Sequence, residues 1–190
     1  VAKADFDTVF DNIKTILETY SAAQPAAERF IVWPDRFRDL PTNDTVAHVI
    51  QHMGDISVDS QTTGGEMELS VKYHFDLLVR AKGTRTDGAY TERASQAAGV
   101  RIRYLVHQLL SALFAAGTYD LSLASGKIGS KEYTGFTPLF PEEIGERGLA
   151  AGRLTISVAT EWTPTAAAGT AIDGISVTAD KWSALIEEEE

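Results

Sequence analysis

The sequence predicts an α+β fold: a mainly antiparallel sheet of about five strands, with a long hairpin, packed on two helices. Three observations predict it. From Glu66 to Arg80 the odd positions are all apolar or aromatic, and the even positions are polar apart from Leu78. A side-chain period of two held that long marks a strand with one buried and one wet face. Residues 5–20 and 89–116 instead carry apolar residues at spacings of three and four, the stripe of an amphipathic helix. Shorter alternating runs stand between and after them, enough to complete a sheet.

In chain order, the first helix presents Phe6, Val9, Phe10, Ile13, Ile16, Leu17 and Tyr20 on one stripe. Asp5 and Asp7 fall at its start, where the helix dipole favours negative charge. Ser21 to Ala27 reads as a small-residue linker broken by Pro25. Phe30 to Trp33 is a short strand closed by Pro34, and the polar run to Asp44, punctuated by Pro41, is a loop. Val46 to Asp59 reads as a strand in which Gly54 marks a bulge, with a helix over residues 45–53 as the alternative. Gln61 to Gly65 is the hairpin connection into the long strand. At about 3.3 Å per residue that strand is roughly 50 Å long, so it projects past its core or is covered by a neighbour.

Ala81 to Gly88 reads as a turn, with Asp87 as the N-cap of the second helix and Gly117 as its C-cap. That helix lines one face with Ala94, Ala98, Ile102, Leu105, Leu109 and Leu113, yet carries Val100, Leu110 and Phe114 on the other. Apolar residues on both sides imply a partly covered outer face. Tyr119, Leu121 and Leu123 alternate as a short strand. Ser125 to Gly152, rich in glycine and charge, is a long connection, and Arg153 to Trp162 is the closing strand. Residues 1–162 therefore form one domain, and 163–190 an appended arm. The arm's few large apolar residues, Trp182, Leu185 and Ile186, cannot build a core alone, and four glutamates follow them.

Composition narrows the function. The chain of 190 residues has no cysteine, which excludes disulfides, thiolate metal sites and cysteine catalysis. Its first residues lack the basic head and apolar run of a signal peptide. No window approaches the roughly 18 apolar residues of a membrane span, so the chain reads as soluble, without a membrane partner. A net charge of -10 repels phosphates and disfavours affinity-driven nucleic-acid binding.

The chemistry-bearing residues are sparse. His48 and His52 are four apart near Asp44 and Asp55, a spacing that shares one face and resembles part of a zinc site, but the stretch HVIQH lacks a glutamate beside the first histidine. A small hydrolase or metal enzyme built on them is the minor alternative. His74 and His107 are isolated, and a polar or interface contact outweighs a general base at each. No GxSxG elbow is present. GERGLAAG lacks a phosphate-binding lysine, and Glu142 and Glu143 after Pro141 read as a helix start. Arg36, Phe37 and Arg38 form a patch too small to override the acidic whole. No cofactor is expected, and the chain is read as a non-enzyme.

The order helix, short strand, long hairpin, long helix, short strand, long loop, final strand resembles the tail terminator proteins of long-tailed bacteriophages, of the lambda minor tail protein U type. The resemblance rests on the first helix (Phe6 to Tyr20), the loop-strand PDRFRDLPTNDTVAHVI, the hairpin strand running into the long helix from Met67 to Leu110, and the closing strand GRLTISVATEW. It spans Asp5 to Trp162 and is one of pattern and order. The 125–152 connection and the tail after Pro164 are longer than a minimal member needs, which keeps a head-completion or neck connector as the alternative.

The resemblance implies a virion structural protein: a homohexameric ring at the head-proximal end of the tail, assembled in the host cytoplasm. Such a ring caps the tail tube, stops its polymerisation and offers the head-docking surface. Its partners are then further copies of itself, the tail tube protein and a head-completion or neck protein, with DNA passing through the lumen without specific binding. A cyclic ring needs two unlike faces on each subunit. On this reading the polar row Glu66, Glu68, Lys72, His74, Asp76 and Arg80, with Arg103 and His107 on the second helix, supplies candidate subunit-interface or lumen residues. A monomeric binding module using an exposed strand edge is the remaining reading.

Overall fold

The computed structural model describes residues 5–35, 45–61, 67–86, 89–123, 127–139 and 148–162. The fold is α+β, as the patterning predicts. One five-stranded sheet takes β1 (Phe30–Pro34), β2 (Ala47–Gln61), β3 (Met67–Arg80), β7 (Leu149–Trp162) and β6 (Ile128–Leu139), in that spatial order. Helices α1 (Asp5–Ala23) and α2 (Ala94–Phe114) contribute to the same core as the odd face of β3, so both pack on one side of the sheet. A separate two-stranded ribbon pairs β4 (Thr84–Thr86) with β5 (Ala89–Glu92).

The strand β3 is the centre of the sheet. It pairs antiparallel with β2 on one side and with β7 along its whole length on the other, from Met67 beside Trp162 to Arg80 beside Leu149. Its length is thus covered by neighbours. Leu69, Val71, Tyr73, Phe75, Leu77 and Val79 are all buried. At about 1.5–3 kcal/mol for each large apolar side chain removed from water, this row is a main source of the fold's stability. The Tyr73 hydroxyl donates to the Phe6 carbonyl at 2.9 Å, and Gln51 Nε2 donates to the Phe10 carbonyl at 2.7 Å. Two buried polar groups therefore anchor the start of α1 on the sheet, each satisfied where an orphan would cost about 1–3 kcal/mol. Burial, with Asp7 nearby, pushes the Tyr73 phenol well above its ordinary value, so it stays a donor.

Along α1 the stripe predicted from sequence is the buried one, with Val9, Ile13 and Leu17 fully covered. The helix runs through Ala23 and so takes the first part of the expected linker. Ser21 in its last turn pins the next strand: its Oγ donates to the Phe30 carbonyl at 2.7 Å and accepts from the Phe30 N–H at 2.9 Å.

The sheet departs from the expected one in four places. β1 and β2 run parallel, so the sheet is mixed. Alternation reports which face a side chain takes and carries no sign of pairing direction; the stretch from Asp35 to Val46 is long enough for a crossover. Ala89 to Glu92 is strand, and α2 starts after Arg93, where the Gln96 side chain accepts from the Arg93 N–H at 3.3 Å. The Asp87-Gly88 pair between β4 and β5 is a hairpin signal in the sequence, and Asp87, the expected N-cap, lies outside the described residues.

Tyr119 to Leu123 is a turn and not a strand, because Leu121 (φ 49°) and Ser122 (φ 58°) are left-handed. Such a conformation costs a non-glycine residue roughly 1 kcal/mol. Complete burial of the Leu121 side chain and the bond from Asn12 Nδ2 to its carbonyl at 2.8 Å offset it. Fourth, the expected 125–152 connection contains β6 and the start of β7. Register shifts between Ile128 and Ser130 and between Tyr133 and Gly135 break the period of two in β6, which hid it. Pro138 is tolerated there because β6 is an edge strand.

The second helix ends at Phe114, short of Gly117. Its last carbonyls are met by side chains instead. Thr118 Oγ1 donates to Ala112 at 2.6 Å, and Lys131 Nζ, reaching in from β6, donates to Leu113, Thr118 (3.2 Å) and Tyr119 (2.9 Å). A buried ammonium at a helix C-terminus is favoured by the dipole. It also stands over the rings of Phe114 and Tyr119, at 5.2 and 4.8 Å. Burial nevertheless draws its pKa down to about 8, with Asp120 opposing.

Candidate functional site

The even face of β3 looks away from both helices. Because β3 is central, its row is joined by matching rows on β2 and β7, and the register decides the neighbours. His74 lies opposite His52 on β2 and Thr155 on β7, and Asp76 lies opposite Ile50 and Arg153. Directly opposed residues share a face. The described members of the predicted row, Glu68, Lys72, His74, Asp76 and Arg80, are therefore one stripe of a wider polar surface.

Its centre is a linked cluster. Asp76 accepts two bonds from Arg153, at 2.6 Å from Nε and 3.0 Å from Nη2. The same carboxylate is 3.9 Å from His52 Nδ1. The hydrogen bond to Asp76 raises the Arg153 pKa above its ordinary value, against the opposing effect of burial. His74 stands 5.3 Å from His52, ring centre to ring centre, and its Nδ1 is 2.9 Å from Thr155 Oγ1. Burial lowers the His74 pKa first, helped by His52 and Arg153, while Asp76 and Asp55 oppose. Gly54 makes room for it: a β-carbon at residue 54 would run into the His74 ring. The register shift between Met53 and Ile56 places the bulge expected at this glycine.

Toward the hairpin end the surface becomes wetter. Lys72 pairs with Asp55 at 3.5 Å, both well exposed. Ser70 and Ser157 share a hydrogen bond at 2.8 Å, and Ser60 donates to Glu68 at 3.3 Å. Glu66 lies outside the described residues, as does the Arg36–Arg38 patch. At the other end Arg80 is half-buried beside a cavity. Arg103 and His107 are exposed on α2, His107 6.4 Å from the Tyr104 ring, and hence on the opposite side of the molecule from the row. The seven predicted residues that are described thus fall on two surfaces.

His48 and His52 share one face of β2, but four strand residues separate them by about 13 Å. His48 is 4 % exposed and accepts from Trp33 Nε1 at 3.0 Å, so its neighbourhood is a different one. Among the described residues no group of three metal-ligating side chains converges. The zinc reading of this pair is corrected by the strand's rise, which a helix would not have imposed.

The edges of the sheet carry what the sequence reading missed. β1 pairs only with Ala47 to Gln51, so β2 from His52 to Gln61 has no strand on its outer side among the described residues. On that free edge Ile56 and Val58 lie opposite the buried Val71 and Leu69 but are themselves 46 % and 56 % exposed. The opposite edge, β6, leaves Tyr133 and Leu139 exposed. Among the described residues no helix is long and apolar enough to cross a membrane. The chain matches no protein-family model and no curated protein significantly.

Proposed function

We propose that this protein is a non-enzymatic ring subunit of a phage virion, a tail terminator that caps the tail tube and receives the head. The observation that carries the self-assembly is the pair of unlike edges of one sheet that have no further strand among the described residues. The His52–Gln61 edge presents backbone with Ile56 and Val58, and the β6 edge presents backbone with Tyr133 and Leu139. Unpaired edges with half-exposed apolar residues invite strand addition. Two different edges make that contact heterologous, and a heterologous contact that closes is a ring. The terminator role itself rests on the resemblance in sequence pattern, of which the first helix, the long hairpin, the second helix and the closing strand are elements of the fold. Capping is then geometric: one ring face fits the end of the tube, and the other does not template a further tube ring.

Mass measurement and electron microscopy of the purified protein, alone and with tail tubes, test this reading. Rings are expected, lost with Ile56→Asp and Val58→Asp combined while the helical and strand signal persists. A monomer at high concentration that forms no ring on tubes would overturn it.

A further inference from the structure

The two edges of the sheet carry exposed apolar residues on the same side. Ile56 and Val58 on β2 lie opposite the buried Val71 and Leu69, and Tyr133 on β6 lies opposite the buried Ile156, so all three point to the helix side. Tyr133 is 47 % exposed, much like the other two. Strand order also fixes a direction. β2 runs antiparallel to β3, β3 to β7 and β7 to β6, so β2 and β6 run opposite ways. A second copy set alongside, with its strands aligned and its helices on the same side, therefore brings β6 antiparallel to the outer edge of β2.

We propose that β6 of a second copy pairs antiparallel with the outer edge of β2, with Ile128 beside Gln61 and Tyr133 beside Ile56. This contact rests on the ring reading and gives it a register. Met53–Gln61, which has no outer strand among the described residues, is then matched along its length by Ile128–Phe136. Pro138, with no N–H to give, falls beside Gln51. That is where β1 takes over the edge: Pro34 pairs with Gln51, whose carbonyl already accepts from the Asp35 N–H at 2.8 Å. The register shifts fall together as well. The one between Met53 and Ile56 meets the one between Tyr133 and Gly135, and the one between Val58 and Ser60 meets the one between Ile128 and Ser130. Facing side chains therefore stay in step through both bulges. Tyr133 against Ile56 is an aromatic–β-branched pair, a favourable cross-strand combination. Charge selects β6 over a second β2. Met53–Gln61 carries Asp55 and Asp59 and no lysine or arginine, so self-pairing gathers like charges, whereas Ile128–Phe136 balances Lys131 with Glu132. Every copy then turns its helices to one side of the wall and the row of Lys72, His74 and Asp76 to the other.

Disulfide trapping tests the pairing, since the chain has no cysteine of its own. Full-length Ile56→Cys and Tyr133→Cys proteins are mixed and mildly oxidised, and residues opposed on adjacent strands lie within disulfide range. The mixed disulfide should form roughly tenfold faster than one between Ile56→Cys and Glu132→Cys, because residue 132 takes the other face. Ile56→Cys linked mainly to itself would assign the edge to an isologous pair and overturn the proposal, as would a preference for Glu132→Cys. The unsubstituted protein decides the matter if the cysteines themselves prevent assembly. On concentration through assembly, the amides of Met53–Gln61 and Ile128–Phe136 should gain hydrogen-exchange protection together. Protection of one stretch without the other would overturn the pairing. Rings in which neither stretch gains protection would sink it and leave the ring reading intact; a protein that stays monomeric would sink both.

Discussion

Replacing Asp76 with Asn removes the charge that joins three strands at the centre of the polar face. The carboxylate accepts two bonds from Arg153, at 2.6 and 3.0 Å, and its side chain is only 22 % exposed, against 47 % for Arg153. Bonds to charged groups reach about 1.5–3 kcal/mol when buried, and exposed ion pairs about 0–1 kcal/mol. A half-exposed guanidinium places this pair between them, at about 1–2 kcal/mol. For a chain of this size that is a fall in Tm of roughly 2–8 °C. Urea unfolding of Asp76→Asn, Arg153→Met and the double variant isolates the pair, and a coupling of about 1 kcal/mol is expected. Asp76 also supports the protonated form of His74, so the variant should lower the His74 pKa further, followed by NMR titration. A coupling below about 0.3 kcal/mol with an unmoved His74 would refute the linked cluster.

Because His74 is held below its ordinary pKa, the unfolded chain binds more protons than the folded one as pH falls below about 6.5. Stability should therefore be lost on acidification through that window, and His74→Gln should flatten the loss measured by denaturant titration. Lys131 acts at the other end of the scale. With its pKa at about 8 in the fold against 10.5 unfolded, stability should rise between those values, and Lys131→Met should abolish the rise while freeing the α2 carbonyls. Gly148→Ala should cost several kcal/mol (about 2–4) by thermal or urea unfolding. Its φ is 86°, and a β-carbon would lie 2.6 Å from the Ala81 carbonyl oxygen and 2.8 Å from the Ala94 side chain, so a neutral effect would contradict this backbone. Charge reversal at Lys72 should cost less than about 1 kcal/mol in folding, because its partner Asp55 is exposed, yet weaken assembly; an unchanged oligomer would refute the interface role of that row.

What the sequence determined by itself is the face of each element. Hydrophobic periodicity is a local property, so the odd row of β3, the Val9–Ile13–Leu17 stripe and the Leu105–Leu109–Leu113 stripe were legible and are buried. So was the bulge at Gly54, where the alternation falters. Direction, register and edges were not legible, because they depend on residues far apart in the chain. No local pattern reveals that β1 runs parallel to β2, that Arg153 and Thr155 meet Asp76 and His74, or that His48 and His52 serve different neighbourhoods. β6 escaped because its bulges break the period, and Tyr119 to Leu123 misled because its alternation coincides with a left-handed turn held by Asn12. Only the tertiary structure left one half of β2 without an outer strand among the described residues and gathered Arg80, Lys82 and Arg101 around one cavity, since pairing and proximity are set by where distant segments pack.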